Sequence, residues 1–200
     1  MIQWVVFDLG NVVLKATAAL PDLAALLAAG ESELTDAYFT HRAEYDRHSD
    51  PAGYWQAMAT SLGLAAPNER LLAELVRIDD LGWSATDPDT MALMADLAAT
   101  GTSLAVLSNA PSSMGRLIER QQWAGGFRHL IFSGDLGVMK PDARIYLELL
   151  RRLHAGPAEV AFLDDRADNV AGAIAVGISA LLFTSAGQAR RDLRSLGLAV

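Results

Sequence analysis

Five short runs of large apolar residues, each stopped by a polar or turn-forming residue, constrain the fold of this chain more than any other feature. Trp4 to Phe7, Ser103 to Leu107, Leu130 to Ser133, Val160 to Leu163 and Ala180 to Phe183 have the length and content of buried strands. Between the last four lie stretches of helical length. Ser112 to Gln122 is one. Ala143 to Leu153, with Leu147, Leu149, Leu150 and Leu153, is another. Asp168 to Val176, stopped by Gly177, is the third. Strands alternating with helices build βαβ units, so the expected class is α/β with a parallel sheet.

The interval after the first run breaks this rhythm. From about Lys15 to Ser84 the pattern is helical and offers no convincing strand. Pro21 and Gly30 bracket a helix over Asp22 to Ala29. Thr35 to Arg47 reads as a second. Asp50-Pro51 joins an N-cap to a first-turn proline, and Gly63 ends the helix that follows. Glu69 to Ile78 supplies a fourth. An all-helical block between the first and second strands of a parallel sheet reads as an inserted cap. The expected division is a core of residues 1–14 and 85–200 and a cap of residues 15–84.

Composition narrows the function classes. A chain of 200 residues can hold one good core with a small insert. Apolar residues at 52% and charged residues at 20% argue against disorder. The net charge of −8 disfavours nucleic acid and anionic membranes as partners, because like charges repel. A small anionic substrate stays open, since a metal and a lysine can concentrate positive charge locally. The absence of cysteine removes disulfides and thiolate chemistry. The first apolar run is too short for a signal peptide and no stretch reaches transmembrane length, so a cytoplasmic location is expected. Nothing here indicates an oligomeric state.

Four strand ends carry reactive side chains. Asp8 closes the first run and is followed by Gly10 and Asn11. Ser108-Asn109 follows the second, Lys140-Pro141 lies beyond the third, and Asp164-Asp165 follows the fourth. Each has a plain structural account when taken alone. Asp8 can cap the next turn, Ser108-Asn109 can form a turn, Lys140 can be a solvated surface lysine, and the paired acids can cap the helix after them. In a parallel sheet, however, the carboxyl ends of the strands converge on one edge, where ligands bind. Three carboxylates, a lysine and a hydroxyl-amide pair on one edge suit phosphoryl transfer. That reaction needs an oxygen nucleophile, a hard cation with oxygen ligands, and donors for the phosphoryl oxygens.

These segments resemble the four motifs of the haloacid-dehalogenase-like (HAD) hydrolase superfamily, in the same order and over essentially the whole chain. Val6-Phe7-Asp8-Leu9-Gly10-Asn11-Val12 is similar to motif I, Leu107-Ser108-Asn109 to motif II and Lys140-Pro141 to motif III. Phe162-Leu163-Asp164-Asp165-Arg166-Ala167-Asp168-Asn169 is similar to motif IV. Asp135-Leu136-Gly137 with Lys140 to Tyr146 further resembles the subgroup of bacterial glucose-1-phosphate phosphatases and the phosphatase domain of epoxide hydrolase. The resemblance implies a Rossmann-like, doubly wound core with a C1-type helical cap. It also implies hydrolysis of a small phosphorylated metabolite through an aspartyl-phosphate on Asp8. Lys140, Ser108 and Asn109 would then bind phosphate, with Lys140 also catalytic. Mg²⁺ would be held by the Asp8 carboxylate, the Gly10 carbonyl and Asp165, with Asp164 in the outer shell.

Gly10 departs from the pattern. Phosphatases of this family usually carry a second Asp there as general acid and base, a function worth roughly 10²–10⁴-fold. Either the leaving group needs little protonation, or water or a cap residue supplies the proton. Gly10 also keeps a rival open, a 2-haloacid dehalogenase in which the same Asp attacks carbon and no metal is used. Asp164-Asp165 favours the phosphatase, because dehalogenases lack the paired acids. A binding module that only retains the fold would be expected to lose Asp8 or Lys140. For substrate choice, His41, Arg42, Tyr45, Asp46 and Trp55 lie on expected cap helices and are candidates to face the site.

Overall fold

The computed structural model describes all residues, 1–200. A five-stranded parallel sheet forms its centre, in the order β3-β2-β1-β4-β5. The strands are β1 (Trp4–Phe7), β2 (Ser103–Ser108), β3 (His129–Phe132), β4 (Val160–Asp164) and β5 (Ser179–Leu182). β1 lies in the middle, with Trp4 to Phe7 in register with Ser103 to Val106 on one side and Val160 to Leu163 on the other. Its residues are buried on both faces, which is why the run is continuously apolar rather than alternating.

Four helices follow β1: α1 (Leu20–Leu27), α2 (Glu31–His48), α3 (Pro51–Ser61) and α4 (Glu69–Gly82). Eight further helical pieces complete the chain, counting two 3₁₀ turns left unlabelled at Gln122–Gly126 and Pro157–Glu159. The named ones are α5 (Pro88–Ala99), α6 (Ser112–Glu119), a one-turn α7 (Ser133–Leu136), α8 (Ala143–Leu153) and α9 (Ala167–Ala175). The last, α10 (Ala186–Ser195), follows β5.

The helices cover both faces of the sheet. Val5 and Phe7 of β1 pack with Leu93 and Leu97 of α5, Ile118 of α6 and Leu193 of α10. Trp4 and Val6 point the other way, onto Ile145, Tyr146 and Leu149 of α8 and Ala173 of α9. Full burial of side chains this size contributes roughly 1.5–3 kcal/mol each. The four helices between β1 and α5 have a separate apolar centre of Leu23, Leu34, Tyr38, Trp55, Met58 and Leu75. The chain leaves the core and returns to it side by side: the Lys15 amide donates to the Ala85 carbonyl at 2.8 Å and the Asp87 amide to the Val13 carbonyl at 2.8 Å. Leu14 and Thr86 form an antiparallel bridge there.

The expected strands are present, β1 with the expected bounds and the others with ends displaced by a residue. Ser133 does not extend β3 but starts α7, where its hydroxyl donates to the Asp46 carbonyl at 2.6 Å. Besides the one-turn α7, two helices go beyond the sequence reading, α5 and α10. Both carry ordinary start signals. Asp87 accepts from the Thr90 amide ahead of Pro88, and Ser185 accepts from the Gln188 amide. The Asp50-Pro51 start of α3 is as expected, with Asp50 accepting from the Gly53 amide. No helix is long and apolar enough to cross a membrane.

Candidate active site

Asp8 leaves β1 at the carboxyl edge of the sheet, and its carboxylate is buried. Lys140 arrives from the loop after α7 and is 1% exposed. Its ammonium lies 2.9 Å from Asp8 Oδ1 and 2.6 Å from Asp164 Oδ2. Burial alone would pull Lys140 down, but Asp8 and Asp164 hold its pKa above the usual lysine value. Lys140 is therefore a fixed cation beside Asp8, not a surface lysine. Burial pushes the Asp8 carboxyl up to about 6 against the opposing pull of Lys140, and the Asp164 charge adds to the rise.

Asp164 is sealed and fully engaged. Oδ1 accepts from the Arg166 amide at 2.9 Å and from Asn169 Nδ2 at 3.0 Å. Oδ2 accepts from Lys140 and from Asn169 at 3.1 Å. With both oxygens so occupied, Asp164 can position Lys140 but has little left for a metal. Asp165 is different. It lines the cavity and receives one hydrogen bond, from Asn11 Nδ2 to Oδ2 at 3.0 Å. Asn11 reaches it from the left-handed region, φ 56°, which asparagine tolerates better than most residues.

Ser108 ends β2 and lines the same cavity. Asn109 has a role the sequence did not indicate. Its Oδ1 accepts from the Lys140 amide at 2.9 Å and its Nδ2 donates to the Lys140 carbonyl at 3.0 Å. The side-chain amide thus holds the Lys140 main chain on both sides while one N–H of Nδ2 stays uncommitted. Asn169, singled out for no role, fixes Asp164 and is held in turn through its carbonyl by the Tyr146 hydroxyl at 2.7 Å.

One oxygen each of Asp8, Asp164 and Asp165 lie within 4.8 Å of one another. A hard cation such as Mg²⁺ takes oxygen ligands of this kind. The donor set fits such an ion, with Asp8 and Asp165 the carboxylates that retain free lone pairs.

The cavity above these groups has a volume of about 440 Å³. The helical insert supplies its roof through Phe39, Arg42, Ala43, Asp46 and Trp83. Trp83 sits over Gly10: a Cβ added there would meet its ring at 3.4 Å, an ordinary contact. Of the candidate insert residues, Arg42 and Asp46 face the cavity. Tyr45 and Trp55 are instead buried in the insert's own apolar centre, and His41 pairs with Ser61 at 2.9 Å on the outside.

The model for haloacid dehalogenase-like hydrolases matches residues 2–177. The chain belongs to this family. Among its relatives, Phosphatase MT3486 of Mycobacterium tuberculosis is 32% identical over 130 residues, 62% of this chain. The chain spans 60% of that relative's length and 26% of another curated relative's, short of two thirds in both. In structure it is similar to L-2-haloacid dehalogenase from Xanthobacter autotrophicus, with a TM-score of 0.76 and 24% identity. That match covers 100% of this chain and 85% of the dehalogenase. It is also similar to the HAD family enzyme BT-2542 from Bacteroides thetaiotaomicron, determined in complex with magnesium and inorganic phosphate. There the TM-score is 0.72 at 14% identity, covering 91% and 94% of the two chains. The HAD fold is common to all of these and hydrolysis to the family. Phosphatases and dehalogenases both occur among the relatives.

Proposed function

We propose that this HAD hydrolase is a Mg²⁺-dependent phosphatase of small phosphorylated metabolites of sugar-phosphate type. The observation that carries the reading is the meeting of Asp8, Asp164 and Asp165 around Lys140 at the floor of the cavity. Asp8 and Asp165, with the Gly10 carbonyl, would hold the ion. A bound Mg²⁺ would neutralise phosphoryl charge and orient the phosphorus toward the nucleophile.

The chain's own groups do the rest. Lys140 holds Asp8 Oδ1 and adds positive charge where the phosphoryl oxygens gather. The other oxygen of Asp8 attacks phosphorus, the ester oxygen leaves, and water hydrolyses the aspartyl-phosphate. Ser108 and the main chain at Asn109 donate to the phosphoryl oxygens. Asp164 and Asn169 keep the Lys140 ammonium aimed at Asp8. The dehalogenase reading draws on the lack of a carboxylate at Gly10 and on the dehalogenases among the similar proteins. It gives no function to Asp165, which a metal-free reaction would leave beside Asp8 with Asn11 as its one hydrogen-bond partner.

The test is phosphate release from a panel of phosphorylated metabolites, with Mg²⁺ and with EDTA. Release that EDTA abolishes is expected. Asp165→Ala should weaken Mg²⁺ dependence by far more than Asp168→Ala, since Asp168 is tied to Arg166 at 2.8 Å on the rim. Halide release from 2-chloropropionate that is indifferent to EDTA would replace this reading with the dehalogenase.

A further inference from the structure

The phosphatase reading leaves one step without an agent. When the ester oxygen departs it needs a proton, and Gly10 has no side chain to supply one. The cavity lining narrows the choice. It includes no histidine, tyrosine or cysteine. Lys140 is held by two carboxylates. Among the acids, Asp8 is the nucleophile and Asp165 the metal ligand. Asp168 lies half-exposed on the rim, both its oxygens bonded by Arg166, which holds its carboxyl below the usual range.

Asp46 remains, in the roof opposite Asp8. Its carboxyl group is buried, and only one side of it is tied. Oδ1 accepts from Arg42 Nε at 2.6 Å, while Oδ2 has no hydrogen-bond partner in the protein and is not among the sealed polar atoms. The side chain keeps 12% of its surface, and that surface belongs to the cavity. The group is also held in place. The Ser133 hydroxyl, rooted at the end of β3, donates to the Asp46 carbonyl, and Arg42 is anchored by Asp79 at 2.9 Å.

Resting on the phosphatase reading above, we infer that Asp46 is the general acid and base of this enzyme, working from the insert in place of a carboxylate at Gly10. As Asp8 forms its bond to phosphorus and the bond from phosphorus to the ester oxygen breaks, the Asp46 proton passes to that oxygen. The resulting carboxylate then takes a proton from the water that attacks the aspartyl-phosphate, which restores the acid. Burial pushes this carboxyl up to about 6, with Arg42 opposing and the Asp79 and Asp8 charges assisting. That range suits a group which must both give and accept a proton near neutral pH.

The test is kcat/KM with Mg²⁺ across a series of aryl and alkyl phosphates of increasing leaving-group pKa. Wild type should show little dependence on the leaving group. Asp46→Asn keeps an acceptor for Arg42; it should lose roughly 10²–10⁴-fold on alkyl esters but no more than about tenfold on nitrophenyl phosphate. A steep dependence in wild type would overturn the inference without recourse to any variant. Equal losses on both classes in Asp46→Asn would overturn it too, leaving Asp46 a positioning residue. Failure of the underlying phosphatase reading is distinct, since wild type would then turn over no ester in the series.

Discussion

The molecule contains two buried clusters of the same composition, one at the sheet edge and one in the helical insert. In each, a cation lies between two aspartates. Lys140 sits between Asp8 and Asp164, and Arg42 between Asp46 and Asp79. In each, one carboxylate is completely sealed, Asp164 or Asp79, and the other opens onto the shared cavity. The sealed partner fixes the cation and the cation fixes the open carboxylate. The difference lies in the cation. Lys140 is a compact charge that can be shared between Asp8 and a phosphoryl group. Arg42 is a planar fork whose Nη1 bonds both oxygens of Asp79 while Nε takes Asp46, a rigid mount and not a shared charge. The comparison separates chemistry from support within each cluster.

The largest expected effect comes from the open carboxylate of the sheet edge. Asp8→Asn should reduce kcat by about 10³-fold or more, since an amide is a poor nucleophile, while the circular dichroism spectrum stays native. Residual activity within tenfold of wild type would remove the chemical role from this cluster. Next is the sealed carboxylate of the insert. Asp79→Ala leaves buried Arg42 with one partner fewer and also removes the acceptor of the Tyr38 hydroxyl at 2.6 Å. Breaking such a pair costs about 3–5 kcal/mol, readable as a lower urea midpoint. A loss no larger than that of the exposed Asp168→Ala would show that the insert cluster is not its support.

The smallest effect is a pH dependence of stability. Burial raises Asp46 to about 6 in the folded protein, above an unfolded value of about 3.9. A raised carboxyl favours the fold when protonated. Its contribution is therefore complete below the unfolded value and is lost as pH climbs through the folded one. Wild type should lose stability relative to Asp46→Asn as pH rises from about 4 to about 6, measured by urea unfolding. A constant difference across that window would place Asp46 in a solvent-like setting and weaken its likeness to Asp8.

The two clusters were not equally visible in the amino-acid sequence. Asp8, Lys140, Asp164 and Asp165 stand out because a parallel sheet turns the ends of separate apolar runs into neighbours. Strand ends alone bring the three aspartates together, and the loop after α7 carries Lys140 to them. The insert cluster joins Arg42 to Asp79 across two intervening helix junctions, and helical spacing specifies which face a residue takes but not which helix lies opposite. Arg42 and Asp46 were candidates on spacing, as was Tyr45, yet only packing decides that Tyr45 turns inward. The hold of Asn109 on the Lys140 main chain was hidden for a related reason. An amide after a strand can serve a ligand or the backbone, and here the Lys140 main chain claims it. Helices α5 and α10 carry readable caps, Asp87-Pro88 and Ser185, next to the strands β2 and β5.

The central claim is that Asp8 becomes phosphorylated. Wild-type protein mixed with Mg²⁺ and nitrophenyl phosphate, quenched in acid within the first turnover and digested, reports this directly by mass spectrometry. The peptide containing Asp8 should gain the mass of one phosphoryl group, and the gain should vanish in Asp8→Asn and with EDTA. Phosphate release with no mass added to that peptide, or a phosphoryl group on any other residue, would contradict the account.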